Sequence, residues 1–199
     1  MDPVNESSLS RVYRQNVAHD CGALTAWRKA ELCGTGRPYT HTENAQRNRS
    51  LLAKLKARGF GVTRLTGRYP EGGRITMEES YFVVDLEDTG TLEHELQTLG
   101  AQFEQDSVLI IPKGTVLPWE SKAKAFLIGT NHCTGNFLAF GEKMPFNHGK
   151  FGYDSKIYTS YVNGRPFIFE EVGEDVPSPG SGFGWWTVHL AADKHWTEL

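Results

Sequence analysis

Two helical stripes, each flanked by strand-forming runs, leave this chain few folds to choose from. Leu92, Leu96, Leu99 and Phe103 recur at i, i+4, i+7 and i+11, which predicts a helix from about Thr91 to Phe103 with one buried face. A second helix opens at Thr40. The run Thr40-His41-Thr42-Glu43 has the pattern of a capping box, in which the threonine oxygen and the glutamate satisfy orphan main-chain donors reciprocally. Ala45, Asn48, Leu52 and Leu55 follow at helical spacing with Leu51 beside them, and Gly59 stands where a left-handed C-terminal residue is expected.

Strands are predicted around these helices: residues 22–28, 60–69, 79–86 and 107–111. The even positions of the second run, Val62, Arg64, Thr66 and Arg68, share one face. A Pro-Glu-Gly-Gly turn at residues 70–73 separates it from the third. The order from residue 22 to 111 is therefore β-α-β-β-α-β, which predicts an α+β two-layer sandwich with the ferredoxin-like order.

Beyond residue 114 the chain reads as a β-rich, loop-rich extension. Strand candidates are residues 125–129, 136–141, 157–162 and 166–172, with Asn163-Gly164 as a hairpin signal between the last two. The expected organisation is a lead at 1–21, a sandwich core at 22–114, a β-rich extension at 115–172, and a Gly/Pro linker with an aromatic tail at 173–199. With 199 residues, 39% of them hydrophobic, the chain has enough apolar material for a core. No apolar run approaches the roughly 20 residues of a membrane helix, and the N-terminus lacks a secretory stretch. Both point to a cytoplasmic protein with no membrane partner. Cys21, Cys33 and Cys133 are odd in number, sparse and without a C-x-x-C, so free thiols are expected rather than a disulfide framework.

Charge is segregated. Residues 37–74 hold nine Lys or Arg and two acids; residues 75–112 hold nine acids and no Lys or Arg. A field of that kind steers anionic partners to one face. Arg47, Arg49, Lys54, Lys56, Arg58, Arg64 and Arg68 form the candidate anion or partner surface, with nucleic acid among its possible ligands. The narrower expectation sets a basic helix edge at Arg47, Lys54 and Arg58 opposite an acidic helix at Glu93 and Glu95.

Several short patterns resemble a single protein family. They are Thr25-Ala26-Trp27-Arg28; Glu43-Asn44, Arg47-Asn48 and Leu51-Leu52; Glu78-Glu79-Ser80-Tyr81; and Phe103-Glu104-Gln105-Asp106-Ser107-Val108. The resemblance spans about residues 22–114 and is to small bacterial and tailed-phage proteins known as a domain of unknown function. It implies a phage context and brings no activity with it.

Arg28, Asn44, Asn48, Glu79 and Gln105, which belong to those patterns, form a candidate ligand-binding cluster. Asn44 and Asn48 lie one helical turn apart on one face, and an inward asparagine needs partners. They therefore either bind a ligand or tie helix to sheet. His132, Cys133 and His148 lie in Gly-rich loops, but their spacing matches no standard metal site and no orienting third group completes a Cys–His pair. His132-x-Thr134 has no second copy of the paired motif of two-histidine phosphoesterases. Gly180 to Gly184 lacks the Lys and Ser/Thr of a phosphate loop, and Gly34-Thr35-Gly36 lacks the third glycine of a dinucleotide fingerprint. No cofactor or metal is implied. Trp185, Trp186 and Trp196 are candidate partner anchors.

The expectation drawn from these features leans away from an enzyme. It is a phage-type accessory protein that binds an anionic ligand or a protein through its polarised surface, with protein partners or self-association. A virion or assembly component is the alternative, and a small nucleotide-processing enzyme the second alternative.

Overall fold

Residues 14–71, 74–115, 125–136, 138–145, 159–162 and 165–167 are described by the computed structural model. Its two longer helices form where local sequence dictates them. Helix α1 (His41–Ala57) starts at Thr40, whose hydroxyl accepts from the Glu43 N–H at 3.2 Å while the Glu43 carboxylate accepts from the Thr40 N–H at 2.8 Å. Arg37 pairs with the same carboxylate. Arg37 first, then Thr40, hold the Glu43 carboxyl well below the usual carboxylate range. The charged cap is therefore complete above the unfolded carboxylate pKa and is lost as pH falls through the depressed one. Thr40→Ala is expected to cost roughly 1 kcal/mol. An unchanged thermal midpoint in that variant would show that the cap is idle. Gly59 follows the helix at φ +83°, as its position predicts.

Helix α2 (Leu92–Gln102) ends in a Schellman arrangement. The Glu104 N–H donates to the Ala101 carbonyl at 3.1 Å and the Gln105 N–H to the Gly100 carbonyl at 2.8 Å. The left-handed position, φ +59°, is held by Glu104 where glycine is usual.

The strands are β1 (Cys21–Leu24), β2 (Gly61–Glu71), β3 (Arg74–Val84), β4 (Ser107–Ile111), β5 (Phe126–Gly129), β6 (Lys143–Pro145), β7 (Thr159–Val162) and β8 (Arg165–Phe167). They form one antiparallel sheet in the order β6-β5-β4-β1-β3-β2-β7-β8. Its centre, β4-β1-β3-β2 with α1 and α2, is the predicted β-α-β-β-α-β sandwich. The strands past residue 114 add to both edges of it.

Both helices cover one face. Leu51 and Leu55 of α1 and Leu92, Leu96 and Leu99 of α2 pack with Leu24, Tyr81, Val83, Val108 and Ile110 from the strands. Burying each such side chain contributes about 1.5–3 kcal/mol. Gly22 lies under α2, where an added Cβ would meet the Leu96 side chain and the Leu109 carbonyl, so only glycine lets helix and sheet approach this closely. Residues alternating with these, among them Ala23, Phe82, Leu109 and Leu127, are buried on the opposite face.

Four expectations need correction. Strand β1 stops at Leu24 rather than Arg28, for a reason given below. The β2–β3 ribbon is longer than predicted, with strand pairing through Pro70↔Ile75 and Glu71↔Arg74 where a four-residue turn was expected. Residues 136–141 form no strand among the described residues. Gly135 and Gly141 take φ +77° on either side and turn the chain, and the edge strand is instead β6. Finally, Cys33 and Cys133 are joined in a disulfide across 100 residues, and only Cys21 is a free thiol. The two cysteines lie in separate loops that meet only once the sheet has formed. Burial pushes the Cys21 thiol far up, so it stays protonated and unreactive.

Candidate functional site

The main chain after Leu24 is buried yet leaves the sheet, so its polar groups need partners. The β1–β3 register ends at Leu24↔Tyr81, and two steps further it would set Ala26 opposite Glu79. The carboxamide of Asn48 stands between them instead. Its Oδ1 accepts from the Ala26 N–H at 2.7 Å and its Nδ2 donates to the Glu79 carbonyl at 2.8 Å. Thr25 Oγ1 donates to the same carbonyl at 2.7 Å and accepts from the Trp27 N–H at 2.9 Å. One turn earlier on α1, Asn44 accepts from the Arg28 N–H and donates to the Arg28 carbonyl, both at 2.8 Å. Arg47 Nε donates to the Ala26 carbonyl at 2.9 Å. Polar side chains of α1 thus replace a missing strand ladder and wedge the chain after β1 away from β3.

The five candidate ligand-binding residues fall in one region, with different fates. Asn44 and Asn48 are buried, and their amides are engaged by main chain. Gln105 is fully buried; Nε2 donates to the Phe103 and Trp27 carbonyls at 3.0 and 3.2 Å, while Oε1 has no partner among the described residues. Arg28 donates to Asp106 at 3.2 Å and to the Glu104 carbonyl. Glu79 differs. Its main-chain carbonyl is held twice, but its half-buried carboxylate has no hydrogen bond or ion pair among the described residues.

The surroundings of Glu79 are set by alternation along β3. Tyr81 and Val83 face the helices, so Glu79 faces the same way, with Thr66 opposite it and Arg64 opposite Tyr81 on β2. The Tyr81 hydroxyl donates to the Asn48 carbonyl at 3.1 Å. Burial pushes that phenol up, Arg64 pulls it down and Glu79 adds to the rise. A carboxylate, an arginine and a phenol therefore gather where the β2–β3 ribbon runs past α1.

A second polar cluster was not foreseen. The Tyr39 hydroxyl donates to Glu104 at 2.8 Å, Arg47 pairs with Glu104 at 3.1 Å, and the Arg47 guanidinium lies 4.3 Å from the centre of the Tyr39 ring. Asn131 reaches Asp106 and the Gln105 carbonyl. The one local signal was a glutamate, Glu104, at the left-handed position after α2. The rest depends on residues distant in sequence.

The basic surface is partly consumed within the fold. Arg58 pairs with Glu95 at 2.6 Å, Arg47 with Glu104, and Lys143 with Glu93 at 2.7 Å. The basic and acidic helix edges meet at Arg58 and Glu95, while Glu93 is paired from β6 and Arg47 from beyond the end of α2. Arg49, Lys56 and Arg64 are exposed and Lys54 half-buried, and for Arg68 the backbone alone is described. Trp185, Trp186, Trp196 and His148 lie outside the described residues. His132 is exposed and stacks on Phe140 at 4.4 Å between ring centres. Among the described residues no group of three or more His, Cys, Asp or Glu is placed to hold a metal, and no helix is long and apolar enough to cross a membrane.

The model of the S-adenosylmethionine lyase family matches residues 34–164, from before α1 through β7. The chain belongs to the S-adenosylmethionine lyase family. The match includes Glu79, Asn44, Asn48 and Gln105 and begins just after Thr25 and Arg28. A solved structure described as a phage SAM lyase in complex with S-methyl-5'-thioadenosine shares 16% identity, covering 63% of this chain and 86% of that one, at a TM-score of 0.26. No curated protein matches.

Membership corrects the functional expectation. A lyase family is a family of enzymes, so the resemblance to a domain of unknown function resolves into a family named for an activity. The non-enzymatic accessory protein working through a polarised surface is set aside, as is the virion or assembly component.

Proposed function

We propose that this protein cleaves S-adenosylmethionine. The family match over residues 34–164 carries the proposal. A lyase breaks a bond with neither water nor a redox partner. Of the three carbon–sulfur bonds of the sulfonium, the one to the amino-acid chain suits this best. That chain brings its own nucleophile, a carboxylate that closes a five-membered ring on the carbon next to sulfur. The new C–O bond forms as the C–S bond breaks. Sulfur keeps the electron pair and leaves as the neutral thioether S-methyl-5'-thioadenosine, and the other fragment is an amino-lactone. No proton moves, so no acid, base or nucleophile of the protein is needed. This accounts for a sequence without a complete catalytic constellation.

The protein's part is then binding and orientation. Glu79 is the residue best suited to hold the substrate's ammonium, being a half-buried carboxylate whose strand is fixed while its own oxygens make no hydrogen bond or ion pair among the described residues. Such a contact anchors the amino-acid end of the substrate in the site.

The test is to incubate the full chain with S-adenosylmethionine and follow the nucleosides by chromatography. Enzyme-dependent accumulation of S-methyl-5'-thioadenosine supports the proposal. Undiminished substrate after prolonged incubation refutes it.

A further inference from the structure

We propose that Thr25, acting with Asn48, is a positioning residue for Glu79, an inference that rests on the substrate-binding role proposed above. The observation is the place where β1 leaves the sheet. In an unbroken ladder the Glu79 peptide would be fixed by main chain of the neighbouring strand. Here that strand is wedged away, and the Glu79 carbonyl accepts from Thr25 Oγ1 at 2.7 Å and Asn48 Nδ2 at 2.8 Å. The two donors come from different elements, the segment after β1 and helix α1, and Thr25 is fully buried with Asn48 nearly so.

The wedge does two things at once. It separates the chain after β1 from β3 alongside the half-buried Glu79 carboxylate. It also restores the lost main-chain restraint, so that this carboxylate projects from a fixed backbone. A residue that binds a flexible zwitterion gains affinity when its own position is set beforehand. Thr25 is the probe because valine copies its shape; its hydroxyl also accepts from the Trp27 N–H, as the Asn48 amide does from the Ala26 N–H.

The experiment measures S-adenosylmethionine cleavage and binding by full-length Thr25→Val, Thr25→Ser and Glu79→Gln chains, and by the Thr25→Val/Glu79→Gln double variant. Losing the hydroxyl, which bonds both the Glu79 carbonyl and the Trp27 N–H, is expected to raise KM roughly five- to tenfold. Thr25→Ser keeps the hydroxyl and restores most of the affinity. In the Glu79→Gln background, Thr25→Val adds no further loss, because it acts through a carboxylate already removed. Thr25→Ala replaces Thr25→Val if the latter does not fold by circular dichroism. A fully additive double variant, or a folded Thr25→Val with unchanged KM, overturns the inference while leaving the lyase activity standing. A wild-type chain that neither binds nor cleaves S-adenosylmethionine overturns the proposed function and this inference with it.

Discussion

Glu79→Gln is expected to lower kcat/KM for S-adenosylmethionine by roughly 10- to 100-fold, the worth of a hydrogen bond to a charged group. The substitution keeps size and planarity and removes only the charge. The loss should fall chiefly on KM, because the substrate ammonium is cationic both before and during carbon–sulfur cleavage and is bound equally in the two states. The fold should survive, since the bonds that tie Glu79 into the structure run to its main-chain carbonyl. Steady-state kinetics beside a thermal melt separates the two effects. A variant with wild-type kcat/KM would remove Glu79 from the site.

Reduction of Cys33–Cys133 is the second large effect. The bond closes a loop of 100 residues between the segment after Arg28 and the loop after β5. In the chain-entropy account, constraining a loop of that length stabilises the fold by about 4.7 kcal/mol. At roughly 2–4 °C per kcal/mol for a chain of this size, reduction should lower the melting temperature by about 10–20 °C. Both ends approach the Arg28 network: Arg28 Nε reaches the Glu31 carbonyl at 3.5 Å, and Asn131, which accepts from the Cys133 N–H at 2.9 Å, contacts Asp106. Thiol counting on air-oxidised protein checks the pairing independently. Native protein should show no reactive thiol, because Cys21 is buried; denatured protein should show one; denatured and reduced protein should show all three. Three thiols in denaturant without reductant would contradict the bond.

The features legible in the sequence were those that local physics decides. The capping box at Thr40, the stripe of α2 and the short strand β4 each depend on neighbours within a few residues, and their order fixed the sandwich. The end of β1 was not legible, because it is set by Asn48 on a helix that comes later in the chain. Nothing in residues 22–28 announces that the ladder will break after Leu24. The disulfide was hidden for the same reason. The sequence singled out Asn44, Asn48 and Glu79 alike, and gives no sign that the two asparagines spend their amides on main chain while the Glu79 carboxylate does not. The charge blocks were real, yet sequence distance says nothing about pairing, and Arg58 with Glu95 shows how much of that charge is internal.

The central claim is that the substrate's own carboxylate, and not water, displaces the thioether. Running the reaction in water enriched in oxygen-18 and weighing the amino-acid fragment tests this most directly. Attack by the carboxylate yields unlabelled lactone, with label only in the carboxyl group of any lactone that later opens. Oxygen-18 in the side-chain hydroxyl, or no cleavage at all, would contradict it.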